Sequence, residues 1–412
     1  MNMREIYLDN AATTPCDPMV LKTMAPFWSK NSGNPSSFND SGRKAREAVE
    51  QSRKRIARIL GAKNQEIIFT SSATEANNLA IFGIAKANPG SRMKLFTKHG
   101  NKLHIITTLI EHHSVLEPIK KLEKEGFKIT YLPVNKEGII NLEDFKKALK
   151  PETLLISIIY VNNEIGSVQP IKKIGKIIKE FKKVSSPLYF HVDASQASAY
   201  LDINANNLGA DLMTISSHKI YGPKGIAALY IRRGTEIKPL IFGGGQEWGL
   251  RSSTEAVPLI VGLAKALEIT NSKKQMTNSK MEKLRTYFVN ELKEEFSSIK
   301  INGPEELHDK APHIINAVFP GIESEQLLLH LDKHGIRASA GSACASRGIE
   351  PSHVLTAIGL SKEEARSSIR FSLGRETSKT DLDYVLKILP KVVNIIKGLY
   401  PKDLKKHYYT KS

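Results

Sequence analysis

Between residues 65 and 235 short β-branched apolar runs alternate with stretches whose apolar positions recur every three or four residues. "EIIFT", "LHIITT", "KITYLP", "LLISIIY", "LYFHVD", "DLMTIS" and "IAALYI" have the length and composition of strands, and several of the segments after them have the period of amphipathic helices. This alternation predicts an α/β fold, a mostly parallel seven-stranded sheet sandwiched by helices. Its active groups should lie in loops beyond the C-terminal ends of the strands. A long helical region follows at about 255–298. After it come strands near "HIINAVF" and "IRFSL" and a last helix near 380–398. That part of the pattern predicts a smaller α+β domain, completed by the first dozen residues. The stretch 88–102 reads as an exposed loop, and the tail "PKDLKKHYYTKS" as frayed.

Composition narrows the picture only modestly. At 412 residues, 41% hydrophobic and 25% charged, the chain is long and apolar enough to bury a sizeable core. The net charge of +18 is spread along the chain rather than gathered in one tract, and no zinc-finger or RNA-binding aromatic motif accompanies it. Neither a nucleic-acid nor a membrane partner is expected, because the apolar runs fall far short of the roughly 20 residues a bilayer requires. Two cysteines, Cys16 and Cys344, make no disulfide framework, and "MNMREIYLDN" has no apolar signal core. A reducing, cytoplasmic setting is expected.

Candidate chemistry sits at the strand ends. "SSATEANNLA" follows the strand "EIIFT" and opens a helix with Thr74 and Glu75 in its first turn. Unpaired backbone N–H groups and the helix dipole make such a start a seat for phosphate; the plainer alternative is an N-cap in which Thr74 satisfies the first turn. "LYFHVDASQ" ends a strand with Asp193 and Gln196, and "DLMTISSHKIYGPKG" ends another with Ser216, His218 and Lys219. Separately, Asp193 reads as a cap, Lys219 as a surface charge and His218 as a core histidine. Together, a phosphate seat, an Asp and a Lys at strand ends of one sheet meet the needs of a pyridoxal phosphate enzyme. The lysine attaches to the cofactor's aldehyde, and the Asp pairs with the pyridinium nitrogen so that the ring remains an electron sink. Lys224 in the same stretch is an equal candidate by this reasoning.

The set "IYLDNAATTP", "GNPSS", "IIFTSSATEANNLAI", "VNNEIGSVQPI", "HVDASQ", "SSHKIYGPKGIAALYIRR", "GGGQEWGLRSSTEAV", "SAGSACAS" and "SSIRFSLGR", in this order from about residue 5 to 398, resembles the group I cysteine desulfurases of the NifS/IscS type. These are fold-type I pyridoxal phosphate enzymes of the class V aminotransferase-like superfamily. The resemblance implies a large cofactor-binding domain over 15–260 and a small domain from 1–14 and 261–412 that carries a catalytic-cysteine loop at about 337–350. It implies conversion of L-cysteine to L-alanine, with Cys344 holding the sulfur as a persulfide for an acceptor such as an iron–sulfur scaffold or a tRNA-thiolation relay. The neighbouring alternatives are a selenocysteine lyase or another enzyme of the superfamily, and, from a different class, a basic binding protein without turnover.

Roles follow by position. Lys219 resembles the cofactor-bearing lysine, which favours it over Lys224. His112 corresponds to the histidine that stacks on the ring and assists proton transfer, with His113 a bystander. Asp193 takes the pyridinium role, Gln196 approaches the phenolic oxygen, and Asn163 contacts cofactor and substrate. Ala73, Thr74, Ser216 and His218 resemble the phosphate-binding set. Thr254 corresponds to a residue reaching the phosphate of a neighbouring subunit, which implies a homodimer. Arg370 matches the arginine that grips the substrate carboxylate with two parallel hydrogen bonds; read alone it is a strand arginine paired with a nearby acid. No metal site is implied, apart from contact between Cys344 and an acceptor's iron–sulfur cluster.

This reading explains the bland setting of Cys344. Its sulfur must visit a buried pocket and then an outside acceptor, and Gly341, Gly348 and the small residues around it hold a backbone only loosely. Arg347 or a protonated His112 is a candidate activator of the thiol. Cys16 reads as a buried structural cysteine. Set against the resembled family, the end of the chain is expected to lack the C-terminal segment with which housekeeping members dock a scaffold, which leaves the acceptor open.

Overall fold

The computed structural model describes residues 4–88, 103–183, 187–341 and 351–399. The expected loop beyond residue 88 and the tail beyond 399 lie outside these residues, as do Cys344, Arg347 and Gly348. In chain order the strands are β1 (Ile6–Tyr7), β2 (Ile67–Thr70), β3 (His104–Thr108), β4 (Lys128–Leu132), β5 (Thr153–Ile159), β6 (Tyr189–Asp193), β7 (Leu212–Ser216), β8 (Ala227–Ile231), β9 (Lys300–Asn302), β10 (Ile314–Val318), β11 (Ile336–Arg337) and β12 (Ser368–Ser372). Strands β2 to β8 form one sheet in the order β2-β8-β7-β6-β5-β3-β4. These are the seven strands predicted by the hydrophobic pattern.

All pairs in this sheet are parallel except β8 with its two neighbours. The reversal has a simple cause. Only Ser217–Ile226 separate β7 from β8, too few residues for the crossover that parallel pairing requires. Because β2 is antiparallel to β8, it runs with β7, so the C-terminal ends of β2, β3, β5, β6 and β7 share one edge.

Both faces of the sheet are covered, as parallel strands demand. Phe69, Ile106, Ile156, Phe190, Val192, Met213 and Ile215 face the helices Asp40–Leu60, Ile171–Phe181 and Val257–Glu295. Ile68, Ile105, Leu155, Leu212 and Leu229 face Ala73–Ala87 and His113–Lys124 through Ala76, Leu79, Val115 and Ile119. Each of the larger side chains contributes roughly 1.5–3 kcal/mol relative to exposure. Two rigid layers therefore hold the edge that the loops decorate.

A second sheet, β12-β10-β9, is antiparallel, and β1 pairs in parallel with β11. The first residues of the chain thus lie against segments near its other end, with Asp9 bridging to Ser372. The long helix Val257–Glu295 touches both sheets. Its first half packs Ile260 and Leu263 into the main core, and Phe288, farther along, meets Phe371 of β12 edge to face at 5.4 Å.

Candidate active site

Asp193 is the last residue of β6 and is buried. Its Oδ1 accepts from the Ser195 N–H at 2.9 Å, and its Oδ2 accepts from Asn77 Nδ2 at 2.8 Å. Asn77, fully buried on the helix Ala73–Ala87, donates also to Ser114 Oγ at 2.8 Å. Ser114 Oγ lies 2.8 Å from His112 Nδ1, and the Ser114 backbone N–H donates to the same nitrogen at 3.1 Å. His112 itself caps the helix His113–Lys124 just beyond β3. Burial holds its pKa below the ordinary imidazole value against the pull of the Asp193 carboxylate.

Lys219 closes a single turn, Ser217–Lys219, directly after β7. Its ammonium donates to the carbonyls of Ala11 and Ala12, the latter at 2.7 Å, and Gln196 Nε2 donates to the same Ala11 carbonyl at 2.7 Å. One backbone oxygen thereby joins the groups that follow β6 and β7. Lys224 is exposed, whereas Lys219 is half-buried. His218 Nδ1 lies 3.2 Å from Thr13 Oγ1, and burial, reinforced by the Lys219 charge, brings its pKa down to about 4.

The start of the helix Ala73–Ala87 corrects one alternative. Its cap is Ser72, whose hydroxyl accepts from the Glu75 N–H at 3.1 Å, and not Thr74, which is exposed inside the first turn. Among the described residues the N–H groups of Ala73 and Thr74 meet no acceptor. The Ser216 hydroxyl, buried at the end of β7, has no partner there either. The register puts these donors on one edge of the sheet, since Thr70 of β2 and Ser216 of β7 stand level on either side of Ala227 of β8. An open helix start and an orphan hydroxyl on one sheet edge suit a phosphate.

Thr254 stands apart from this cluster. It is exposed on the connection between β8 and the long helix, whose Arg251 is bound to Glu75 at 2.8 Å. Bulky apolar side chains are exposed elsewhere on the surface, among them Phe38 at 89%, Phe242 at 80% and Trp28 at 62%.

Arg370 lies on β12 and is only 1% exposed. Its Nη1 donates to the Asn163 carbonyl at 2.8 Å and its Nη2 to Asp9 Oδ1 at 2.8 Å, while Nε is buried without a partner among the described residues. The pairing with an acid that the isolated strand arginine suggested is therefore present, and the acid is Asp9. Ser339 exchanges backbone hydrogen bonds with Arg370 at 2.7 and 3.1 Å, so the segment leading to Cys344 departs from beside the Arg370 main chain. Beyond residue 350 the chain returns to the same edge, where Ser352 Oγ donates to Glu164 Oε2 at 2.6 Å and His353 Nε2 lies 2.9 Å from the Glu111 carbonyl. The His353 ring also packs at 4.8 Å on His113. Cys16 is half-buried rather than buried.

Asn77, Ser114, Asp9 and Glu164 escaped the reading of the sequence. The one signal for Asn77 is its place three residues after Thr74, about one turn along the same helix. A carboxylate, an amine, a stacked-ring candidate and an open phosphate seat on one sheet edge fit pyridoxal phosphate by the chemistry of the donors present.

The chain matches the family model for aminotransferase class-V over residues 6–385. It is 47% identical over 398 residues to the cysteine desulfurase IscS of Dictyoglomus turgidum, covering 97% of each chain. Among solved structures it resembles a NifS-like protein with a TM-score of 0.86 and 36% identity, over 95% of this chain and 100% of that one. It also resembles SspA, solved in complex with cysteine, with a TM-score of 0.75 and 38% identity, over 90% of this chain and 99% of that one.

Proposed function

This chain belongs to the aminotransferase class-V family, as one of its cysteine desulfurases, and from that premise we propose how its residues divide the work. Pyridoxal phosphate, when bound, supplies an electron sink that makes the Cα proton of an attached amino acid acidic. Lys219 carries the cofactor, Asp193 faces its ring nitrogen, His112 covers the ring and Gln196 approaches its phenolic oxygen. Ala73, Thr74, Ser216 and His218 hold the phosphate, and Thr254 of one copy completes the site of the other in a homodimer.

The substrate is L-cysteine. Arg370, with Asn163 beside it, grips its carboxylate, so that Cα faces Lys219 and the thiol faces the segment from Gly341 to Ser352. The Lys219 amine moves the Cα proton. The Cys344 thiolate attacks the substrate sulfur, the carbon–sulfur bond breaks, the electron pair left on Cβ takes a proton, and Lys219 returns the Cα proton to give L-alanine. Cys344 then holds a persulfide for an acceptor protein such as an iron–sulfur scaffold. We assign 15–260 to a cofactor-binding domain and 1–14 with 261–412 to a small domain, the long helix Val257–Glu295 linking the two, and place the enzyme in the cytoplasm.

The observation that carries this reading is the meeting of Lys219 and Gln196 on the Ala11 carbonyl. It joins the groups that follow β6 and β7 on the sheet edge that also carries the open helix start at Ala73. The test is incubation of the purified chain with L-cysteine and reductant, assaying alanine and sulfide. Equal amounts of both are expected, together with a visible absorption band that disappears in Lys219→Ala, and loss of sulfide release in Cys344→Ala. A colourless chain, or a Cys344→Ala variant that turns over at full rate, overturns it.

A further inference from the structure

We propose that Asn77 is a positioning residue that couples Asp193 to His112 and, through the Ser114 hydroxyl, helps hold the His112 proton on one ring nitrogen. The inference rests on the reading that Asp193 and His112 meet the cofactor. Its starting point is a chain of four hydrogen bonds whose directions chemistry dictates. An ionised carboxylate accepts and never donates, so the Asn77 amide must turn its NH2 toward Asp193 Oδ2. The second hydrogen of that NH2 goes to Ser114 Oγ. With its oxygen already accepting, the Ser114 hydroxyl has its own hydrogen to give, and 2.8 Å away lies His112 Nδ1. The Ser114 backbone N–H, which can only donate, points at the same nitrogen.

Two donors on Nδ1 leave it bare, so the neutral ring carries its proton on Nε2. That edge of the imidazole is the one left for a group beyond the chain of bonds. The same amide holds Asp193 Oδ2, while Ser195 holds Oδ1, so one side chain bears both on the carboxylate plane and, by orienting the Ser114 hydroxyl, on the tautomer that the Ser114 N–H also favours. Asn77 keeps this arrangement although its own Oδ1 is buried without a partner among the described residues. An apolar residue there would avoid that cost, and packing alone gives no reason to retain the amide.

The experiment is nitrogen NMR of histidine-labelled protein, free of cofactor, with the His112 signals identified by their loss in His112→Gln. It is run beside steady-state kinetics of the loaded enzyme. Wild type is expected to show His112 neutral with the proton on Nε2. Asn77→Ala and Ser114→Ala should each displace the Nδ1 resonance and lower kcat on the order of tenfold, with the KM for L-cysteine within about twofold, the signature of a lost orienting hydrogen bond. A wild-type ring protonated on Nδ1 overturns the inference. So do variants whose ring signals and kcat match wild type. If Asn77→Ala does not fold, the wild-type tautomer and Ser114→Ala decide. A Lys219-independent visible band would sink the site reading instead, a result distinct from a wrong tautomer.

Discussion

The Glu164 carboxylate bridges the two flanks of the segment that carries Cys344. Ser352 Oγ donates to its Oε2 at 2.6 Å, and a Cβ placed on Gly341 would come within 2.8 Å of the same oxygen. Gly341 has φ +88°, a backbone region that costs a residue with a Cβ roughly 1–2 kcal/mol. Strain and contact both oppose a side chain there. Gly341→Ala is expected to slow sulfide release from L-cysteine severalfold while the Lys219-dependent visible band is kept; a variant with the wild-type rate would show that the departure point of this segment is unimportant.

Glu111 sets a pH dependence of stability. Its carboxyl is fully buried, and burial raises its pKa to about 8, with the Asp193 charge adding to the rise and the Ile159 N–H and Thr108 hydroxyl opposing it. In the unfolded chain the group returns to 4.5. Between these values the folded state binds more protons than the unfolded one. The contribution is therefore complete below 4.5 and is lost as pH rises toward 8, at up to ~1.4 kcal/mol per unit. Glu111→Gln, uncharged throughout, is expected to gain on wild type steadily as pH rises through that window in denaturant unfolding of the cofactor-free protein. Parallel profiles would mean that the carboxyl ionises inside the fold.

Arg370 tests the proposed substrate end of the site. One arm of its guanidinium is held by Asp9 and another by the Asn163 carbonyl. A lysine keeps the charge but has no planar fork with which to face a carboxylate while holding both partners. Arg370→Lys is expected to reduce kcat/KM for L-cysteine by roughly 10- to 100-fold, the worth of one charge-assisted hydrogen bond, mostly through KM. An unchanged KM would remove Arg370 from substrate binding.

The parts of the molecule legible in the sequence are those written in local pattern. Seven β-branched runs became the seven strands of the main sheet, because residues buried on both faces leave a continuous apolar signature. Asp193 and Lys219 could be picked out because one closes such a run and the other lies just beyond one, whereas His112 was reached only through the resemblance. What stayed hidden depends on contacts between distant segments. Asp9 meets Arg370 across most of the chain, and the reversed β8 follows from the short connection that pairs it with β7 rather than from its own composition. Asn77 looks like Asn78 in the sequence, but one faces Asp193 and the other donates to the Thr74 carbonyl on its own helix.

The pair Arg53–Glu247 gives the last prediction, and it joins stability to the site. Arg53, buried on the helix Asp40–Leu60, donates to both Glu247 oxygens at 2.8 and 2.9 Å and to the Ile67 carbonyl at 2.7 Å. It lies between the rings of Phe69 and Trp248, at 4.6 and 4.5 Å from their centroids. Glu247 accepts in addition from the Phe69 N–H at 2.8 Å, so the pair fastens edge strand β2 to the connection that bears Thr254. Glu247 and Trp248 hold positive φ values of 52° and 54°, conformations the chain would leave if the carboxylate lost its partner. Removing one member strands a buried charge at a cost of about 3–5 kcal/mol, whereas removing both costs less than the two single losses added together. Arg53→Ala is accordingly expected to lose that much stability in denaturant unfolding. In the double variant with Glu247→Ala, part of the loss should be recovered. Because the freed connection carries Thr254, the single variant should also bind pyridoxal phosphate more weakly, a change measured by titrating the cofactor into the stripped protein. Strictly additive losses would mean that the two residues stabilise the fold through separate contacts. Unaltered cofactor binding would mean that Thr254 is held in place by something other than this ion pair.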